Sequence, residues 1–229
     1  MEHRFYSKSK NKQNQIQLFI ALGALTVIMI LCYLSWATGI YLIGLFTFPM
    51  VLTIIAPFFD VPSLKENGKL TYHSNLFLSE KPTSGVIKIH GGTLFDYVFV
   101  IDNNMSGRQR TNYIIHQYLE GILDLIDRYD EFKEKDLKIR GTSYIINERT
   151  GRRIGFNTIE TDNIQKIILI FNYFNVMLTY CIAKGTLSFP NLNQTRTFET
   201  SLSRLVAHRE HINDLNKKFK KISTRSFMK

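Results

Sequence analysis

Residues 18–59 read LFIALGALTVIMILCYLSWATGIYLIGLFTFPMVLTIIAPFF, forty-two positions without one Asp, Glu, Lys, Arg or His. A Trp36-Ala37-Thr38-Gly39 sequence divides the run into near-equal halves. Each half, as a helix, is roughly 30 Å long, one hydrocarbon thickness. The stretch therefore predicts two membrane-spanning helices joined by a tight turn at 36–39. Trp36 stands where an interfacial aromatic anchor belongs, and Thr38 and Gly39 supply turn chemistry. Pro49 falls within the second apolar half. Ala21, Gly23, Ala24 and Gly44 are small enough to let the two backbones approach closely.

Charge sets the expected orientation. The chain carries a formal +10, but the excess sits at its ends. Residues 1–16 hold Arg4, Lys8, Lys10 and Lys12 against Glu2. Residues 217–229 hold Lys217, Lys218, Lys220, Lys221, Arg225 and Lys229 with no acid, which leaves +1 for everything between. The turn has no cation, so both termini are expected on the cytoplasmic side of a cell (inner) membrane. Basic ends beside a bilayer point to anionic lipid headgroups as partners. Nucleic acid is a poor fit, because a reader of nucleic acid carries its basic face on the folded module. Cys32 and Cys181 both lie in apolar segments, and nothing in their placement suggests a disulfide framework.

The expected organisation is a basic cytoplasmic tail (1–17), the hairpin (18–59), a linker (60–68), an α/β (α+β) cytoplasmic domain (69–197), a C-terminal helix (198–222) and a basic tail (223–229). Residues 69–74, 84–90 and 93–101 read as strands, rich in Thr, Val, Ile, Tyr and Phe between turn formers. Ser106 is a candidate N-cap for a long amphipathic helix to about 132, with Ile115, Leu119, Ile122, Leu123 and Ile126 at helical spacing. A strand at 137–146 and a short helix capped by Asn147 follow. Residues 164–183 form a third apolar segment, interrupted by Lys166, Asn172 and Asn175; a helix buried in the domain or lying on the membrane is expected rather than a third span. A short strand is expected at 186–189.

Residues 84–160, in the order strand, long helix, strand, short helix with Gly155-Phe156 at its end, resemble the central part of the GNAT acyltransferase superfamily. The resemblance implies an acyl-CoA whose pyrophosphate meets the start of the long helix at Ser106, Gly107, Arg108 and Arg110, with Asn147 flanking the pantetheine. The two glycines of the family's phosphate loop are absent here. Independently of that family, an unpaired helix N-terminus is a ready anion site.

Tyr113, His116, Tyr144 and His90 are the candidate acids and bases. His90-Gly91-Gly92 follows a strand, but no Gly-x-Ser-x-Gly elbow accompanies it. His208 and His211 lie one turn apart without further ligands in sequence. No Walker loop, dinucleotide fingerprint, His-Glu-x-x-His or Cys-x-x-Cys occurs, so no metal site is expected. Without a legible catalytic constellation, the sequence favours a non-catalytic sensing, effector or assembly role through homo-oligomerisation or docking to membrane-complex subunits. A membrane-tethered acyl-CoA-dependent acyltransferase, or a degenerate acyl-CoA binder, is the alternative.

Overall fold

A computed structural model describes residues 3–130, 137–143 and 148–225. Two long apolar helices open the chain, α1 (Lys10–Thr38) and α2 (Tyr41–Ile55), and α2 runs with little interruption into α3 (Pro57–Glu66). α1, and α2 taken together with α3 (Tyr41–Glu66), are each long and apolar enough to cross a membrane. Gly39 turns the chain between them in the left-handed conformation, φ 70°. On α1 the covered positions recur as Gln17, Ala21, Ala24, Ile28, Leu31 and Ser35, a seam that faces α2. Gly44 approaches Ser35, and a Cβ there would touch the Ser35 hydroxyl at 3.4 Å. Gly23, expected at the same seam, faces open space.

The remainder is a two-layer α/β arrangement. Strands β1 (Leu70–Ser74), β2 (Phe77–Glu80) and β3 (Val86–Gly91) form an antiparallel meander. Helices α4 (Leu94–Val100) and α5 (Gly107–Asp130) lead to β4 (Lys138–Ser143), which pairs parallel to β3 with Ile87 opposite Ile139. Then come α6 (Glu148–Arg153), β5 (Asn157–Ile159), α7 (Asn163–Phe171), α8 (Tyr173–Lys184), β6 (Arg196–Ser201), α9 (Leu202–Ala207) and α10 (Arg209–Arg225). The mixed sheet runs β1-β2-β3-β4-β6-β5. One face is covered by α5, whose Ile114, Tyr118, Ile122, Leu125 and Ile126 meet Phe77, Ile87, Ile89 and Ile139. The other face carries cross-strand ion pairs, Arg140 to Glu199 and His90 to Glu80 (2.8 Å). This is the usual economy of a sheet with one wet face.

Several expectations are corrected. Residues 93–101 form a helix, not a strand. Their β-branched and aromatic composition suggests extended chain, but Asp96 accepts from the Thr93 backbone N–H (2.7 Å) and hydroxyl (2.8 Å), closing the first helical turn. The linker at 60–68 is helical to Glu66. The C-terminal helix expected from residue 198 starts later, because Phe198 lies within β6. Residues 186–189 form no strand; their backbone turns back on α8, with the Ser188 N–H donating to Cys181 Sγ at 3.3 Å. The apolar segment 164–183 is two helices, α7 and α8, bent by 71° at Asn172. Residues 3–17 are not a loose tail: Phe5 is fully buried, and α1 already begins at Lys10.

Candidate functional site

The polar chemistry of the molecule concentrates where the α/β layers meet the base of the helical hairpin. Asp96, fully buried on α4, is its centre. Besides closing the Thr93 turn through Oδ2, its Oδ1 accepts from the Tyr72 hydroxyl at 2.5 Å and lies 3.2 Å from His3 Nε2. Burial and the adjacent Asp96 carboxylate push the Tyr72 phenol far up, which keeps it a donor. The Tyr6 phenol, 3.4 Å from that of Tyr72, is pushed up to about 12 by burial. The Lys65 ammonium lies over the Tyr6 ring, 3.4 Å from its centroid.

An apolar shell surrounds this cluster. Phe5 packs edge-on to Phe95 (4.9 Å between centroids), and Phe58 does the same from α3 (5.9 Å). Arg4 closes the other end of α4: its guanidinium donates to the Val98 (2.7 Å) and Ile101 (3.0 Å) carbonyls, which the helix end leaves without donors. One short helix is thus held at both ends by residues that precede the first apolar helix.

Two further ties follow from proline chemistry. Proline has no N–H, so the carbonyl four residues earlier loses its helical partner. Pro57 does this to Thr53, and Pro62 does it to Phe58. Each orphan is met by a side-chain amide from another element. Asn175 Nδ2 on α8 donates to the Thr53 carbonyl at 2.7 Å, and Gln17 Nε2 on α1 donates to the Phe58 carbonyl at 2.9 Å. An unmet carbonyl away from water costs about 1–3 kcal/mol, so such ties hold their elements firmly. Lys10 and Glu66 form an ion pair at the same base.

The start of α5 is closed rather than open. Ser106 and Gln109 cap each other: the Ser106 N–H donates to Gln109 Oε1 (2.5 Å) and the Gln109 N–H to Ser106 Oγ (3.4 Å). Arg110 donates to three carbonyls, Met105 (2.9 Å), Ile182 (2.8 Å) and Asn103 (3.0 Å). Gly107 lies so close to the end of α8 that a Cβ would sit 1.9 Å from the Lys184 carbonyl oxygen. The negative end of α8 therefore lies against the positive end of α5, where an anion would otherwise sit. Of the four residues, Arg108 and Ser106 are exposed. Asn147 and Tyr144 lie outside the described residues.

The other candidate acids and bases are dispersed. His90 pairs with Glu80 on the wet face of the sheet, and that hydrogen bond lowers the Glu80 carboxyl. His116 Nδ1 lies 2.6 Å from Asn216 Oδ1, joining α5 to α10. Tyr113 is buried in the core beneath α5. His208 Nδ1 faces the Arg204 carbonyl, and no group of three metal-binding side chains occurs among the described residues. A Ser-His-Asp chain that the sequence did not suggest is present: Asp124 Oδ2 to His73 Nδ1 (2.7 Å), and His73 Nε2 to Ser79 Oγ (2.8 Å). Ser79 is wholly buried, so its hydroxyl meets no substrate. The chain satisfies polar groups between β1, β2 and α5 rather than activating a nucleophile.

A recess of about 460 Å³, its open mouth included, lies at the carboxyl ends of the parallel strands β3 and β4. Phe77, Ile89, Tyr118, Ile154, Phe156 and Phe198 make its walls mostly apolar. Burial pushes the Tyr118 phenol up to about 12.

No family model, curated protein or solved structure matches this chain. Its function is therefore read from its own residues. The residues that sequence reasoning missed are His3, Gln17, Asp96 and Asn175. A signal existed for part of this: Thr93-x-x-Asp96 has capping-box spacing, and Pro57 and Pro62 mark which carbonyls need a donor. Nothing in the sequence names the donors, which lie 41 and 122 residues away.

Proposed function

We propose that this chain is a multi-pass membrane protein of the cell (inner) membrane with both termini in the cytoplasm. Its α/β domain serves a non-catalytic sensing, effector or assembly role through oligomerisation or partner docking. The observation that carries the reading is Asp96. One buried carboxylate gathers His3, from before the first apolar helix, and Tyr72, from after the second. Asn175 joins the domain to α2, and His3 joins it to the segment before α1, which fastens the domain to the hairpin instead of leaving it on a linker. A ligand or partner that shifts the domain must then shift the hairpin, the coupling a sensor or effector needs. The basic ends, with Lys8 and Lys12 near α1 and Lys217, Lys218 and Lys221 on α10, suit anionic headgroups.

The acyl-CoA alternative keeps one supporting feature, the recess at the ends of β3 and β4, where open α/β sheets commonly take ligands. It is the weaker reading, because Arg110 is engaged by carbonyls and α8 lies over Gly107.

Mass measurement of the protein in lipid discs cut directly from membranes tests the first reading, with thermal unfolding in the presence of acyl-CoA run alongside. Assemblies of more than one copy, or with a co-purifying membrane subunit, and no acyl-CoA shift, are expected. A lone monomer at every loading would sink the assembly reading. Stabilisation by acyl-CoA that Arg108→Ala removes would replace it with the alternative.

A further inference from the structure

Among the described residues, nothing covers one face of α7. None of its nine residues is buried. Ile164, Ile167, Ile168 and Phe171 recur at the spacing i, i+3, i+4, i+7 and form one apolar face, and all four are exposed, Phe171 to 75%. The opposite side carries Gln165, Lys166 and Leu169; Lys166 and Leu169 line a hollow against β5 and β6 together with Thr158 and Arg196. A soluble domain rarely leaves such a face open.

The position of the helix says what covers it. α7 and α8 meet in a 71° elbow at Asn172, and Asn175, one turn into α8, donates to the Thr53 carbonyl of α2. Thr53 lies twelve residues beyond Tyr41, the first residue of α2. That is about 18 Å along the axis, inside a hydrocarbon layer of about 30 Å that starts near the Trp36 turn. The elbow is therefore level with the near leaflet. Leu52, beside Thr53, is exposed, as are Phe171 and Phe174 at the elbow. The polar ends fit the same placement: Asp162 caps the start of α7 by accepting from the Ile164 N–H (3.4 Å), and Lys184 closes α8 against α5.

We propose that the exposed apolar face of α7 is embedded in the leaflet next to the domain, making the α7–α8 elbow a third membrane contact that does not cross the bilayer. Amphipathic helices of this kind seat their apolar face about 5–10 Å into the boundary of headgroups and acyl chains. Lys166, on the side turned from the apolar face, then stays at headgroup level. The occupant is lipid rather than a second copy of the chain, because the Asn175–Thr53 bond fixes the elbow to α2 at a depth inside the hydrocarbon layer. The inference rests on the membrane reading of the hairpin, and the test separates the two.

Trp36 is the sole tryptophan of the chain. The unaltered protein and a Trp36→Phe/Phe171→Trp variant are placed in phosphatidylcholine–phosphatidylglycerol vesicles whose acyl chains carry bromine near the ester end. Emission is read with and without the bromine, and separately with aqueous iodide. Loss of emission at both tryptophans with brominated lipid, and protection of Trp at position 171 from iodide, is the expected result. If Trp36 is not quenched by bromine, the hairpin reading fails and this inference fails with it. If Trp36 is quenched but position 171 responds to iodide instead, the hairpin stands and α7 lies in water. If position 171 responds to neither quencher, protein covers it and the lipid proposal is wrong.

Discussion

Asn175 donates its side-chain amide to the backbone carbonyl of Thr53 at 2.7 Å, at a position where Pro57 removes the helical donor. The contact joins a helix of the α/β domain to the second apolar helix through a group that otherwise has no partner in its own ladder. Asn175→Ala should lower the thermal midpoint in lipid discs by leaving the Thr53 carbonyl without its donor, about 1–3 kcal/mol. Pro57→Ala restores an N–H for Thr53. In that background the Asn175→Ala cost should shrink, and a double-mutant cycle measures the difference. Equal costs in both backgrounds would show that Asn175 acts through packing and not through this carbonyl.

Asp96 is the second tie, and its removal should be felt at a distance in sequence. Asp96→Ala takes from the Tyr72 hydroxyl and the His3 imidazole the carboxylate they share, leaves Tyr72 only the longer contact to Tyr6, and opens the Thr93 turn. A cost of about 3–5 kcal/mol is the usual scale for breaking a buried charged network. Tyr72→Phe removes one donor and should cost about 1–2 kcal/mol. The specific readout is trypsin cleavage after Arg4 and Lys8, slow in the parent protein and fast in Asp96→Ala. An unchanged cleavage rate at those sites would mean that the N-terminal segment is held without Asp96.

The hairpin was legible because its signal is local: an absence of charge over forty-two residues needs no knowledge of the rest. The α5 amphipathicity and the Ser106 cap were legible for the same reason. Strands β2, β5 and β6 were not. Phe77–Glu80 and Asn157–Ile159 are too short to show alternation, and Arg196–Ser201 shows a polar side only because it pairs centrally with its wet face outward. α4 reads as a strand because a buried helix of Leu, Phe, Tyr and Val has the composition of one, and only the four-residue box at Thr93–Asp96 marks it as a helix. At the expected phosphate site the structure has a helix start with Arg108 and Arg110 in its first turn. What fills that helix start, the end of α8, comes from more than seventy residues along the chain and leaves no local mark.

His73 gives a pH dependence of known sign. Burial lowers its pKa, outweighing the hydrogen bond to Asp124 that raises it. The folded protein thus favours neutral His73, which donates from Nδ1 to Asp124 and accepts from Ser79. The unfolded chain takes up the proton near the ordinary value of about 6.5. Below that pH the unfolded state binds more protons, so stability is fully present above about 6.5 and declines as the pH falls toward the lowered folded value. Thermal midpoints of the protein in discs should fall between pH 7 and pH 5, and His73→Gln should flatten that part of the curve. A parallel decline in the variant would assign the dependence to other groups.

Gly107 and Gly23 provide a paired test of what closes the start of α5. A Cβ at Gly107 would lie 1.9 Å from the Lys184 carbonyl oxygen, a backbone atom that moves only if α8 moves. Gly107→Ala should therefore cost about 1–3 kcal/mol or more, the scale of overpacking. Gly23 is also helical but has nothing within 4 Å of the added carbon. Gly23→Ala should be neutral or stabilising by up to about 1 kcal/mol, the intrinsic helix preference for alanine. If α5 instead offered an open anion site, Gly107→Ala would leave unfolding unchanged and alter only the response to added acyl-CoA or inorganic phosphate. Thermal unfolding of the two variants, with and without those ligands, separates a helix start closed by α8 from one kept free for a phosphate.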